Sequence, residues 1–329
     1  MNLSGALIGI GILQAVIYLL FIRAIDLYER EPLRYVIPVF LWGFAVATTV
    51  SLVFNTLFQL TLSSVTSVKT ASFFTAVVEA PIVEESSKGF ALLLIFLITY
   101  LVRRKSGLIE FAGVMDGIVY GAAVGFGFAI AEDLLYGIQY GPETFIVRRI
   151  FGGFAHASFT SVTGIGIGLI PWVQSTALKV VLPLLGLCGA ITLHSTFNLT
   201  ATLLGPVAYL FLFLVVLAYV VVIIVWLYVE RRVIREELRD EVPAGTITPQ
   251  EYTILPSYFR RKGHYLGLVF TGKLGRWVRA HKLHSAAVDL ALAKRLARRS
   301  GTVGSMDRVR MLRQRVIDLR EGATARAAP

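Results

Sequence analysis

Seven apolar stretches of 21 to 32 residues, separated by short polar segments, fill the first 229 residues of this 329-residue chain. Each is long enough to cross the hydrocarbon core of a bilayer as a helix, which takes about 20 residues. Within lipid the backbone N–H and C=O groups must be satisfied internally, and for single runs of this length that means helix. The sequence therefore predicts an all-α fold, a polytopic transmembrane helical bundle of about seven spans. They are expected at Gly5 to Ile25, Leu33 to Leu60, 71 to 102, Phe111 to Tyr140, 145 to 170, 177 to 204 and Pro206 to Val229. A hydrophobic fraction of 56% and a mean hydropathy of +0.70 exclude an ordinary soluble domain. The longer runs predict tilt, a break at Pro81 or a partly re-entrant piece. No Lys or Arg precedes the first run, so it is expected to be retained and not cleaved as a signal peptide.

Charge is divided unevenly. Residues 1 to 229 carry 11 Lys/Arg and 11 Asp/Glu, whereas residues 230 to 329 carry 21 and 10, which places the whole net charge of +11 in the tail. Basic clusters after the first, third and seventh runs, above all Arg103-Arg104-Lys105, predict a cell-membrane protein with its amino terminus outside and its tail cytoplasmic. Arg148 and Arg149, at the start of the fifth run, oppose that orientation. The predicted division is a membrane domain over 1–229, a linker over 230–249 and a basic helical tail over 250–329. In the tail, Leu283, Ala287, Leu290, Ala293 and Ala297 recur at three or four, as do Val309, Leu312, Val316 and Leu319, which predicts a short helical hairpin. Its Arg-rich faces suit anionic lipid, with nucleic acid the weaker alternative. The single cysteine, Cys188, allows neither an internal disulfide nor a thiolate metal cage.

Polar residues inside the runs are the functional candidates, because an ionised group at the centre of a membrane helix costs roughly 2.5 to 3.5 kcal/mol and is retained for a partner or a reaction. The third run contains Glu84, Glu85 and Lys88; the fourth Asp116, Glu132 and Asp133; the fifth His156 and Thr160; the sixth His194 and Asn198. Glu84 with Lys88, His156 with Thr160, and His194 with Asn198 are each spaced by four, so each pair shares a helix face. Counted from the outer end of its run, Glu84 is 13 residues deep, Glu132 8, His156 11 and His194 10. At about 1.5 Å per residue they share a level near the bilayer centre, and four helices are expected to line one polar cavity.

Two chemistries fit such a cavity. A carboxylate beside an imidazole can deprotonate water while a second His and an Asn amide stabilise an oxyanion, the parts of a peptide hydrolase. Alternatively Glu84, His156 and His194 can bind zinc, leaving Glu85 or Glu132 as the base. No HExxH motif is present, and both alternatives stand on residues alone. Asp116 reads as structural, with Tyr120 one turn away as its expected hydrogen-bond partner. Glu79 and Glu110 read as interfacial. Gly113, Gly117, Gly121 and Gly125 form a small-residue strip for close helix packing.

Glu84-Glu85-Ser-Ser-Lys88, Gly127-Phe-Ala-Ile-Ala-Glu132-Asp133, His156-Ala-Ser-Phe-Thr160 and His194-Ser-Thr-Phe-Asn198, in this order, resemble the PrsW family of intramembrane proteases. That family is related to the CAAX-type prenyl proteases, which also combine a Glu pair with two separated histidines. The resemblance covers roughly 79 to 200 and implies cleavage of a membrane-anchored protein, in some bacteria an anti-sigma factor, with the first glutamate as base. The family usually has Asn where Asp133 stands here. Two other classes compete. A proton- or ion-coupled transporter would show repeated halves, and no such repeat links the first three runs with the next three. A non-catalytic scaffold that binds client helices would differ only in lacking activity.

Overall fold

The structure, a computed structural model, describes residues 3–106, 111–300 and 303–325, so Glu110 lies outside the described residues. Among those residues the chain is helical and has no strand. Helix α1 (Leu3–Ile25) forms from the first run. The second run is α2 (Leu33–Leu41), a π-helical turn Trp42–Ala47 and α3 (Thr48–Ser63), continuous one into the next. The third begins at α4 (Val68–Phe74), whose N-cap Ser67 accepts from the Thr70 N–H, and passes through a π-helical turn Thr75–Glu79 into α5 (Ala80–Ser106). The expected break at Pro81 thus takes the form of this π turn. Proline has no N–H to offer the Val77 carbonyl, and the register there opens to i→i−5.

The fourth run is α6 (Val114–Tyr140). The fifth, expected as one span, is instead two short helices, α7 (Pro142–Gly152) and α8 (Ala155–Gly168). Gly152 and Gly153 stand at the junction, where each disfavours continuous helix by roughly 1 kcal/mol relative to Ala, and the Tyr18 hydroxyl donates to the Gly153 carbonyl (3.1 Å). Helices α9 (Thr176–Leu204) and α10 (Ala208–Glu237) follow, parted by a 3-10 turn at Gly205, whose φ of 57° suits glycine. Helices fill all seven expected runs. By length and apolarity alone, four described stretches can cross a membrane: Leu7–Ile25, Leu33–Ser63, Val114–Tyr140 and Thr176–Glu237, the last holding both α9 and α10.

Two compact units arise. The first comprises Met1–Asp26, Glu31–Lys105 and Ile109–Ile223. Its axis is α6, apolar all round and buried along nearly its whole length, as such a helix must be. The glycine strip packs α6 on α8: a Cβ on Gly117 would lie 2.3 Å from the Gly164 carbonyl, on Gly121 2.5 Å from the Ser161 Cα, and on Gly125 2.4 Å from the His156 carbonyl. On another side a Cβ on Gly127 would collide with the Phe40 carbonyl, and one on Gly43 with that of Val124. Gly186 and Gly166 bring α9 onto α8 in the same way. Backbone contact this close leaves no room for a methyl, so Gly125→Ala should force α8 outward at the level of His156. We expect a loss of about 1–3 kcal/mol, read as earlier thermal unfolding in detergent, whereas an unchanged transition would mean that the packing is looser than described.

The second unit comprises Leu27–Arg30, Ser106–Leu108 and Ile224–Pro329. It contains α11 (Pro249–Ile254), α12 (Tyr258–Phe270), α13 (Leu274–Ser300) and α14 (Val303–Ala325). The two predicted apolar stripes meet here: Ala287, Leu290, Ala293 and Ala297 pack with Val309, Leu312 and Val316, beside Ile234, Leu238, Ile247 and Leu255. Buried Glu241 accepts from Lys294 (2.7 Å) and Arg313 (2.6 Å). Burial pushes its carboxyl up, but the hydrogen bonds from Arg313 and Lys294 prevail and hold it at about 2. The Tyr28 hydroxyl donates to the Pro256 carbonyl (3.0 Å) and Arg261 to that of Leu27, so the 27–30 loop and the tail lie on one side of any barrier the helices cross.

Candidate active site

Helix α5 carries Glu84, Glu85 and Lys88 on one face, and all three are buried. The Lys88 ammonium donates to Glu85 Oε1 at 2.9 Å and to Glu84 Oε2 at 3.3 Å, and lies 3.7 Å from the centroid of the Phe128 ring, a cation–π contact in a water-poor setting. It also approaches His156 Nδ1 at 3.1 Å, which joins α5 to α8. One turn on, the Thr160 hydroxyl donates to Glu85 Oε2 at 2.9 Å. From α9, His194 Nδ1 lies 3.1 Å from Glu85 Oε1 and its Nε2 lies 3.9 Å from Glu84 Oε2. The two imidazoles stand edge to face with centroids 5.1 Å apart.

Both oxygens of Glu85 are therefore tied to three elements at short range, while Glu84 has only the longer contacts to Lys88 and His194. That asymmetry separates the two carboxylates chemically. Glu85 is the member held by Lys88, Thr160 and His194, and Glu84 is the less constrained of the two.

Helix α6 supplies the support for His156. Glu132 Oε2 lies 2.7 Å from His156 Nε2 and accepts from Arg148 at 2.6 Å. Neighbouring Asp133 accepts from Arg148 Nε at 2.5 Å and pairs with Arg149. Arg149 also donates to the Ala129 carbonyl at 3.0 Å. Motif reading missed this part. The two arginines looked like exposed charges opposing the predicted orientation, whereas here they neutralise the acidic pair across the Gly141-Pro142 turn. Asp133 has a physical use here: a carboxylate can pair with both guanidinium groups where a neutral amide cannot.

Two other assignments change. Asn198 does not turn its amide toward the glutamates; Nδ2 donates to the Ala76 carbonyl at 2.8 Å, inside the π turn that precedes Pro81. A π turn alters the carbonyl ladder, and Asn198 meets one of its acceptors. Asp116 accepts from the Ala112 N–H at 2.7 Å in the first turn of α6. Tyr120, its expected partner, instead donates to Glu31.

The cluster can hold a metal ion. One ligand atom each from Glu84, Glu85, His156 and His194 lies within 4.8 Å of the others, and all four residues are buried. Carboxylates with two imidazoles are the donors that zinc takes at hydrolytic sites. Around them four carboxylates, Glu84, Glu85, Glu132 and Asp133, face three cations, Lys88, Arg148 and Arg149, so with neutral imidazoles one negative charge is in excess. On donor chemistry the residues fit a divalent cation, which would take the place of the Lys88 ammonium against Glu84, Glu85 and His156 Nδ1.

Comparison with known proteins agrees with this geometry. Residues 31–227 match the PrsW family of intramembrane metalloproteases. The chain is 32% identical over 163 residues to the protease PrsW of Geobacillus kaustophilus (strain HTA426), covering 50% of this chain and 66% of that one. It is likewise 32% identical over 163 residues to the protease PrsW of Bacillus subtilis (strain 168), covering 50% of this chain and 68% of that one. No solved structure matches. The matched region contains every residue of the cluster, and the chain belongs to the PrsW family of intramembrane metalloproteases.

Proposed function

We propose that this chain hydrolyses a peptide bond of a membrane-anchored protein at the Glu84, Glu85, His156 and His194 cluster. The observation that carries this is the convergence of four buried ligand atoms from three helices within 4.8 Å, inside the region that matches the PrsW family. In the reaction, Glu84 takes a proton from the attacking water and passes it to the leaving amine, yielding a new carboxylate and a new amine terminus. In the metal-free form Glu85 holds the His194 ring through Nδ1–H, and protonation at Nε2, on the Glu84 side, would give the imidazolium that donates to the developing oxyanion. Glu132 fixes the His156 ring through Nε2, and Arg148 fixes Glu132. A divalent metal held by His156, His194 and one carboxylate of the pair would supply Lewis-acid polarisation of the water and the scissile carbonyl. The donor set favours this metal-assisted form, and a chelator should abolish cleavage of a membrane reporter, with zinc restoring it. Cleavage that survives exhaustive chelation would leave the two carboxylates to act alone.

For orientation we propose that the Arg103 to Lys105 end of α5 and the tail are cytoplasmic and the 64–67 turn is outside. With Arg148 and Arg149 paired inside the protein, the basic residues that opposed this arrangement no longer count as loop charge. In a Cys188→Ser background, a cysteine at Ser64 should react with an impermeant reagent on intact cells and one at Ser106 should not. The reverse pattern would invert the assignment.

The tail is proposed to regulate or anchor, because every residue of the cluster precedes 200. A chain ending at about Ala244, past the end of α10, should insert and still cleave the reporter. If it inserts but is inactive, the tail belongs to the active enzyme.

A further inference from the structure

Beyond α10, eight large apolar side chains are exposed among the described residues, and six of them fall between 259 and 278; the others are Met306 and Met311. Phe259 and Phe270 are each 84% exposed. On α12 the spacing sorts the faces. Arg261 and Tyr265 point inward, Arg261 onto the Leu27 carbonyl and Tyr265 onto His284 Nδ1 (3.0 Å), while Phe259, Leu266 and Phe270 point outward. Gly272, with φ at 69°, ends the helix, and the Lys273 N–H returns to the Leu268 carbonyl (2.9 Å), giving a tight hairpin tip flanked by Phe270 and Leu274.

Charge gives the second observation. From Tyr258 to Val288 the chain has seven Lys/Arg and no Asp or Glu, although the rest of the tail intersperses both signs. Lys273, Arg276 and Arg279 lie at and just past the tip and are exposed. Exposed Phe and Leu beside Lys and Arg, on a helix with a polar opposite face, is the composition of a segment that lies in the plane of a membrane interface. Helix α10, joined to the hairpin through α11 and short turns, lies in a stretch able to cross a bilayer, so the chain keeps the hairpin within reach of such a surface.

We propose that the α12–α13 hairpin docks on an anionic lipid bilayer, with Phe259, Leu266, Phe270 and Leu274 in the headgroup–acyl boundary and Lys273, Arg276 and Arg279 on lipid phosphates. The test uses the full-length protein in vesicles. An environment-sensitive fluorophore is attached through Phe270→Cys in the Cys188→Ser background, with Gln314→Cys as the control on an exposed position of α14. In phosphatidylcholine vesicles containing phosphatidylglycerol, the label at 270 should emit to the blue of the control and be quenched by shallow doxyl-labelled lipid. Both effects should diminish without phosphatidylglycerol, at about 1 M salt, where the screening length falls to about 3 Å, and in a Lys273→Gln/Arg276→Gln/Arg279→Gln variant. Emission at 270 equal to the control in both lipids overturns the proposal. So does burial of the label produced by added RNA and not by anionic lipid.

Discussion

Glu84→Gln, His156→Ala and His194→Ala should each remove most cleavage of a membrane reporter while the protein accumulates and inserts as wild type does. Loss of a general base typically costs about 10² to 10⁴ in rate. Glu84 makes only long contacts within the cluster, to Lys88 at 3.3 Å and His194 at 3.9 Å, so the isosteric amide removes the proton acceptor without emptying a packed site. Truncating either histidine deletes a ring that joins two helices as well as a donor. Part of their loss should therefore appear as reduced thermal stability, which Glu84→Gln should not show. Quantitative immunoblotting of reporter and product, normalised to inserted enzyme, separates the two effects. Near wild-type cleavage by Glu84→Gln, with Glu132→Gln inactive, would move the base to α6.

The arginine pair should split in its effects. Arg149 is 9% and its partner Asp133 4% exposed by side chain, so Arg149→Met leaves a buried carboxylate with Arg148 as its remaining cation. Breaking a buried pair from one side typically costs about 3–5 kcal/mol. The variant should unfold at markedly lower temperature in detergent, or fail to accumulate. Arg148 is more exposed, at 26%, but its partner Glu132 is the group that holds the His156 ring. Arg148→Gln should therefore melt closer to wild type and cleave more slowly. Equal melting of the Arg149→Met and wild-type proteins would show that the acidic pair does not depend on that guanidinium.

Much of this was legible in the sequence, for physical reasons. Apolar runs above twenty residues leave little choice but helix, and the glycine strip on α6 marked a close contact because nothing else repeats so strictly there. The cluster was legible because charges and imidazoles are costly inside such runs, so Glu84, Glu85, Lys88, His156 and His194 stood out from their surroundings. What could not be read was pairing between elements. Arg148 reaches Glu132 across a sequence separation of 16, and only the break at Gly141-Pro142 hinted that the chain folds back there. Asn198 shares a helix face with His194, yet its amide is held by a carbonyl of the π turn, and local spacing does not predict that turn. The fifth run looked continuous because its apolar character hides Gly152 and Gly153 at the junction of two helices. Helix α12 is hard to read from the sequence because Gly263 and Gly267 fall inside it, and each disfavours helix by about 1 kcal/mol relative to Ala.

The central claim is that water is added across a peptide bond at this cluster. The most direct measurement is cleavage of a transmembrane reporter by the purified, detergent-solubilised protein in ¹⁸O-enriched water, with mass spectrometry of the fragments beside a Glu84→Gln control. The account predicts a fragment whose new carboxyl terminus carries ¹⁸O, formed within the membrane segment and absent from the control. Equal product from Glu84→Gln, or no cleavage by the intact protein under conditions where a PrsW protease of 32% identity cleaves the same reporter, would contradict it.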